Sequence, residues 1–394
     1  MAFIFVTVVL DVLAMGIVIP VLPRLVEQFL HGDTANAARV FGVFGSVWAL
    51  MQFFAAPVLG SLSDAYGRRR VVLLSCLGLG LDYVFMALAP NLTWLFVGRV
   101  ISGITAASFT TAFAYIADIT PADKRAQSFG LVSAAFGLGF VLGPAVGGLL
   151  GSADPRLPFW VAGACALLNT LFGLFVLPES LPPERRRPFA WRRANPLGSL
   201  HLLRSRPGLL GLASVYALYL FSHQALQSVF VLYTGHRYGW GPRTVGITLA
   251  IVGACNILMQ GVVVRPVLSR FGERRALLIA IAGGIVGYAL YGWAPTGAAL
   301  MASIPVFAIM FLFGPSVQGL MSRRVGPTEQ GELQGANGSI MGITGVLGPA
   351  VFTLVFSAFL ELPAGASLPG APFLLASVLM VVAFAVAWNA ARSV

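Results

Sequence analysis

The chain has 394 residues, 58% of them hydrophobic and only 10% charged, against about a quarter charged in an ordinary soluble domain. That balance excludes a soluble enzyme, and with no catalytic triad, metal-ligand cluster or phosphate loop in the sequence, neither a cofactor nor a metal is expected. The net charge of +11 invites a polyanionic partner, but of 25 basic residues 19 lie in alternate loops and the C-terminal tail, five in the opposite loops, and Arg99 inside an apolar run. Such an asymmetry orients a membrane protein with its basic loops, and here both termini, in the cytoplasm. Nucleic acid is therefore not an expected partner.

Apolar blocks of the length that crosses a ~30 Å hydrocarbon core as helix recur twelve times, near 3–28, 39–63, 70–89, 92–117, 125–151, 157–178, 208–234, 242–267, 275–294, 297–323, 330–358 and 370–390. The expected fold is an all-α membrane protein. Span 1 follows Met1 without a basic start, so it reads as a membrane helix rather than a cleaved leader. It carries Asp11 about 14 Å along the helix, near the bilayer centre. Between spans 2 and 3 lies GSLSDAYGRRR, where Gly60 and Gly67 allow close approach and a tight turn. Asp64 there can pair with Arg68, Arg69 or a helix N-terminus. Span 3 carries Asp82 and span 4 carries Arg99, each eight or nine residues from the turn at Pro90–Asn91 and so at one depth.

An ionisable group at a helix centre costs about 2.5–3.5 kcal/mol to insert, so Asp11, Asp82 and Arg99 should face a polar cavity or one another. A carboxyl group deprived of water holds a proton readily, and a guanidinium moving towards it releases that proton. This chemistry suits proton coupling, with Asp11 as first candidate carrier, Asp82 as second, and Arg99 as the moving charge. A static ion pair between Asp82 and Arg99 is the alternative. In span 5, Gly139, Gly143, Gly147 and Gly151 recur every fourth residue and share one face. Their missing side chains admit a close neighbour, and Pro144, followed by Gly147 and Gly148, should bend the helix. The pattern fits a seam between two moving halves, or ordinary small-residue packing.

After span 6, the Pro- and Arg-rich stretch 179–207 reads as a cytoplasmic linker between halves 1–178 and 208–394. The halves repeat at a constant offset of 205: SFGLVSAAFGLGFVLGPAV at 128–146 sits over LQGANGSIMGITGVLGPAV at 333–351, and YGRRRVVLLSCLGLGLDY at 66–83 over FGERRALLIAIAGGIVGY at 271–288. Two pseudo-symmetric six-helix bundles with a substrate path near the midplane form one plan of a secondary transporter. The second half has no deep ionisable group apart from His223. It offers Tyr216, Tyr219, Gln224 and Gln227 on span 7, Asn256 and Gln260 on span 8, Gln318 on span 10, and Gln334 and Asn337 on span 11. Amides among aromatics suit an amphipathic organic substrate. Cys76, Cys165 and Cys255 fall within spans without a disulfide pattern and read as small apolar fillers.

Four stretches carry a family likeness. GSLSDAYGRRRVVLL at 60–74 resembles the helix 2–3 loop signature of the major facilitator superfamily, and GLGFVLGPAVGG at 137–148 resembles the helix 5 signature of its proton antiporters. DVLAMGIVIPVLP at 11–23 and GRVISGITAAS at 98–108 resemble its helix 1 and helix 4 signatures. LDY at 81–83, YIADIT at 115–120 and GVLGP at 345–349 point to its tetracycline-efflux group. The resemblance implies a cytoplasmic latch made of the 60–69 loop with Asp118, and proton coupling through Asp11, Asp82 and Arg99. It implies efflux of small amphipathic compounds, with protons and the bilayer as partners; the Arg-rich, compact loops point to a bacterial inner membrane, and a monomer is expected. A proton symporter importing a metabolite, or a receptor or scaffold without transport, stays open. The chain departs from that group in span 8, where Asn256 replaces a histidine although Gln260 persists, and in span 9, where Ala280 and Gly284 stand in place of acids. The resemblance to tetracycline pumps therefore stops short of their span 9 acids.

Overall fold

A computed structural model describes residues 2–106, 108–120, 125–189, 198–205, 208–326, 329–363 and 367–390. Of the basic residues counted above, Lys124, Arg192, Arg193, Arg206 and Arg392 lie outside the described residues, as does the 190–197 part of the linker. Every regular element among the described residues is helical, the form that lets a chain in lipid satisfy its backbone polar groups within one segment.

Span 1 is built from α1 (Ala2–Val18) and α2 (Leu22–Phe29), with the break between them at Pro20 and with Pro23 in the first turn of α2. There follow α3 (Thr34–Tyr66), α4 (Arg68–Ala87), α5 (Leu92–Thr105), α6 (Ser108–Ile119), α7 (Arg125–Ala153) and α8 (Leu157–Val176). The Asp33 carboxylate accepts the backbone N–H of Asn36 (3.0 Å) at the start of α3, and that bond holds it below its usual range. The short α9 (Leu202–Ser205) precedes α10 (Leu209–Tyr238) and α11 (Pro242–Leu258). A wide π-helical turn at Met259–Val263 joins α11 to α12 (Val264–Trp293). Then come α13 (Gly297–Ala308), α14 (Phe313–Ser322), α15 (Gln330–Leu360) and α16 (Ala371–Ala390). The repeat shows in the caps: Asn91 accepts from Trp94 N–H at the start of α5, and Thr296, 205 residues later, accepts from Ala299 N–H at the start of α13, both at 3.2 Å.

Ten helical runs among the described residues are long and apolar enough to cross a membrane. The count differs from the expected twelve at two places. Residues 242–293 form one continuous run, which Gly272 interrupts with φ +73°. Span 4 is divided where Ala106 closes α5, leaving two shorter helices.

Packing gathers the chain into two compact units. Unit 1 comprises Met1–Gly32, Val47–Asn195 and Trp240–Gly253; unit 2 comprises Asp33–Ser46, Pro196–Gly239 and Ala254–Val394. This division departs from the sequence repeat at two reciprocal places, since the first third of α3 packs in unit 2 and most of α11 in unit 1. In unit 1, α1 packs on α7 and α4 on α8; in unit 2, α10 packs on α15 and α16, and α12 on α16. Unit 1 closes around small and branched residues such as Val8, Val12, Val72, Cys76 and Ala135. Unit 2 closes around rings, with Tyr291 stacked on Phe307 at 5.0 Å and Tyr233 edge-on to Phe373 at 5.0 Å. Many large apolar side chains point outward, among them Phe54, Leu81, Phe175 and Val378, as a lipid-facing surface requires.

Candidate functional site

The two deep carboxylates of unit 1 have different surroundings. Asp11 of α1 is 4% exposed and engaged. Asn169 of α8 donates its amide to Asp11 Oδ1 (2.9 Å) and to the carbonyl of Thr7 (3.0 Å), and the Cys76 thiol of α4 lies 3.6 Å from both carboxylate oxygens. Cys76 is thus a polar partner of Asp11 as well as a filler. Asp82 of α4 is 1% exposed, and both its oxygens are buried without a hydrogen-bond partner. It lies against α5, where a Cβ placed on Gly98 would sit 3.3 Å from Oδ1. Arg99, the next residue, is half-buried and directs its guanidinium over the Trp48 ring at 5.3 Å. No ion pair joins Arg99 to Asp82, and Arg99 Nε has no hydrogen-bond partner. The two groups act on each other's charge without closing into the static ion pair that the sequence leaves open.

At the end of α3, Arg68 gathers acids from two helices. Its guanidinium pairs with Asp64 (2.5 Å) and with Asp118 of α6 (3.1 Å), and it donates to Ser63 Oγ (2.6 Å). Gly67 makes the turn with φ +103°. Glu179, just beyond α8, completes the group: its Oε1 accepts the Arg68 N–H (2.9 Å) at the positive end of α4, and also the N–H groups of its chain neighbours Ser180 (3.0 Å) and Leu181 (3.1 Å). Arg69 turns away and donates to the carbonyl of Leu174 (2.6 Å). Gly60 does not fulfil the close approach expected of it, since a Cβ there would meet nothing within 4 Å; as an interior residue of α3 it faces open space.

The glycine face of α7 packs on α1. A Cβ on Gly139 would fall 2.7 Å from Cβ of Val12, one on Gly143 2.6 Å from Cα of Gly16, and one on Gly147 against the carbonyl of Ile17. The stripe is thus a seam inside unit 1. The adjoining face, with Gly148, meets Gly246 of α11, whose Cα would lie 2.9 Å from an added Cβ. Pro144 sits inside an unbroken α7.

Within unit 2, Tyr219 stacks on Phe313 at 3.7 Å and on His223 at 6.0 Å, and His223 Nδ1 is buried without a hydrogen-bond partner. Tyr216 is half-buried on the same helix. Asn337 donates to Gln318 (3.1 Å), so these two tie α15 to α14. Gln260, in the wide turn, reaches the carbonyl of Phe311 (3.3 Å). Asn256 keeps a buried Oδ1 without a partner. Gln224 packs beside Gly348, while Gln227 and Gln334 are exposed. Ala280 is fully buried, and a Cβ on Gly284 would lie 2.8 Å from Cε of Met380. The positions where the resemblance places acids are packed by apolar groups.

Residues 4–349 match the family model described as Major Facilitator Superfamily. The chain belongs to the Major Facilitator Superfamily. It is 39% identical over 355 residues to the tetracycline resistance protein, class C, of Escherichia coli, spanning 89% of this chain and 88% of that one. Among solved structures it resembles the human organic anion transporter MFSD10 (TETRAN), with a TM-score of 0.73 and 26% identity over 98% of both chains. The nucleoside transporter NupG shares the fold, with a TM-score of 0.77 and 18% identity over 99% and 98% of the two chains. As a superfamily member the protein is an integral membrane transporter of small molecules. Asn169, Glu179 and Trp48 are the members of its polar clusters that sequence reasoning missed. Glu179 alone left a signal there, as an acid directly after a span among basic residues.

Proposed function

We propose that the protein is a proton-driven exporter of small amphipathic organic compounds, tetracycline-like ones among them, working by alternating access. It acts as a monomer in a bacterial inner membrane with both termini in the cytoplasm. The observation that carries the reading is Asp82, a buried carboxylate whose two oxygens have no hydrogen-bond partner, packed against Gly98, with the next residue, Arg99, holding its guanidinium over Trp48 instead of in an ion pair. A charge left so deep without a partner is costly. The cost is removed in one of two ways: a proton binds the carboxyl, or the guanidinium swings from Trp48 to meet it. Exchange between these states captures and releases a proton as the transporter cycles. Asp82 therefore ranks ahead of Asp11, whose carboxylate is already held by Asn169. Arg68 with Asp64, Asp118 and Glu179 forms the cytoplasmic latch, and the Tyr219–Phe313–His223 stack receives the ring system of the cargo.

The relatives' tetracycline resistance names support export over the importer and scaffold readings. The apolar packing at Ala280 and Gly284 leaves α12 without an acid at those two positions, so proton transfer runs through the first unit. The test is uptake of tetracycline and of a cationic dye into inverted vesicles under an imposed pH gradient, beside a susceptibility panel in a pump-deleted host. Asp82→Asn is expected to remove gradient-driven uptake of every cargo the wild type moves. Unchanged uptake in that variant overturns the reading.

A further inference from the structure

Before α4, the space beside the Gly67 turn is filled from within the chain. A Cβ on Gly67 would lie 2.9 Å from the carboxyl carbon of Glu179, which accepts the Arg68 N–H and stands 3.9 Å from Arg186. The repeat brings Gly272 to the same kind of turn, with φ +73°. There the residue at the offset of Glu179 is Phe384, and a Cβ on Gly272 would meet nothing within 4 Å. A cavity of about 410 Å³ opens instead, lined by Glu273, Arg274, Arg275, Arg323 and Trp388 among others. Arg323 is paired with Glu273 at 3.0 Å. Among the described residues neither Arg274 nor Arg275 has an ion-pair partner, and Arg274 Nε is buried without a hydrogen-bond partner. Two guanidinium groups thus line a hollow that the first unit's counterpart fills with a carboxylate, and Phe271 and Trp388 stand exposed at its rim.

We propose that this hollow binds the phosphate of an anionic phospholipid. Guanidinium forks match phosphate oxygens in geometry and charge. Basic pockets between helices on the cytoplasmic side suit anionic headgroups, and an exposed Trp belongs at the level of the headgroups. A free phosphate shares the head chemistry but makes no use of the aromatic rim.

The experiment exchanges the purified full-length protein against vesicles of mixed phosphatidylglycerol and phosphatidylcholine and counts retained lipid by mass spectrometry. Phosphatidylglycerol is expected to be retained several-fold over phosphatidylcholine. Arg274→Gln and Arg275→Gln should each lower that preference, and the exposed Arg243→Gln should not. Brominated phosphatidylglycerol should quench the Trp388 fluorescence, isolated by difference against Trp388→Phe, and this readout stands should the Arg274 variant fail to fold. Equal retention of the two lipids, or retention unmoved by both variants, overturns the site. Displacement by inorganic phosphate alone at comparable affinity overturns the lipid assignment and makes the hollow a free-anion site.

Discussion

At the offset of 205, Arg68 and Asp118 of the first unit fall on Glu273 and Arg323 of the second, and both pairs are formed with their charges exchanged. Arg68 lies 3.1 Å from Asp118, and Arg323 lies 3.0 Å from Glu273. The shared turn, made by Gly67 and Gly272, therefore selects a pair of opposite charges and is indifferent to which side is basic. The surroundings separate the two. Arg68 also holds Asp64 and Ser63 and is backed by Glu179, whereas Ser269 and Phe384 occupy the places of Asp64 and Glu179 in the second unit. The same contrast continues into the membrane: among the described residues the first unit places Asp11, Asp82 and the half-buried Arg99 at depth, and the second places amides, hydroxyls, aromatics and the half-buried His223. The repeat presents one scaffold twice, and the deep charge lies in its first copy.

The contrast breaks most sharply at the deep acids. Asp82→Asn is expected to abolish pH-driven uptake in inverted vesicles, whereas Asp11→Asn should retain a reduced rate. The main effect at Asp11 should be on stability, with the loss of charge-assisted bonds costing about 1.5–3 kcal/mol, read as a lower thermal midpoint in detergent. Loss of coupling in Asp11→Asn with Asp82→Asn still active would reverse the assignment. The next largest effect should come from Arg68→Glu, which sets a third acid beside Asp64 and Asp118 and should slow transport strongly. The triple change Asp64→Ser, Arg68→Glu and Asp118→Arg copies the second unit's arrangement and should restore much of the rate. No recovery would mean that polarity at this turn matters after all. Gly143→Ala forces a methyl against Gly16 and should destabilise the protein by ~1–3 kcal/mol. Gly60→Ala should be the mildest, neutral or stabilising by up to ~1 kcal/mol, since nothing lies within 4 Å of the added carbon.

Where the sequence could be read, the reason was solvent. A charge in a lipid-length apolar run is conspicuous, so Asp11, Asp82 and Arg99 stood out, and the transporter fold followed from span length and the repeat. What stayed hidden was who touches whom. Asn169 is one amide among several in apolar helices, and only the packing of α8 on α1 joins it to Asp11. Trp48 could not be told from the other aromatics until α3 lay beside α5. The exchanged pair required following the repeat to positions 68 and 118, where the residues differ in sign and so do not look alike. The stripe at 139–151 was legible as a close-packing face, but its partner was not: periodicity names a face and leaves the neighbour unnamed.

The seam between α1 and α7 contains almost no side chains at Gly16, Gly143 and Gly147, and this gives it an unusual mechanical property. Side chains cushion a helix contact because they can change rotamer; backbone against backbone cannot. The two helices are therefore a stiff beam. A push on α7 where Gly148 meets Gly246 should reach the turn of α1 that carries Asp11 with little slack, turning a displacement at one end of the membrane into a change of surroundings at its middle.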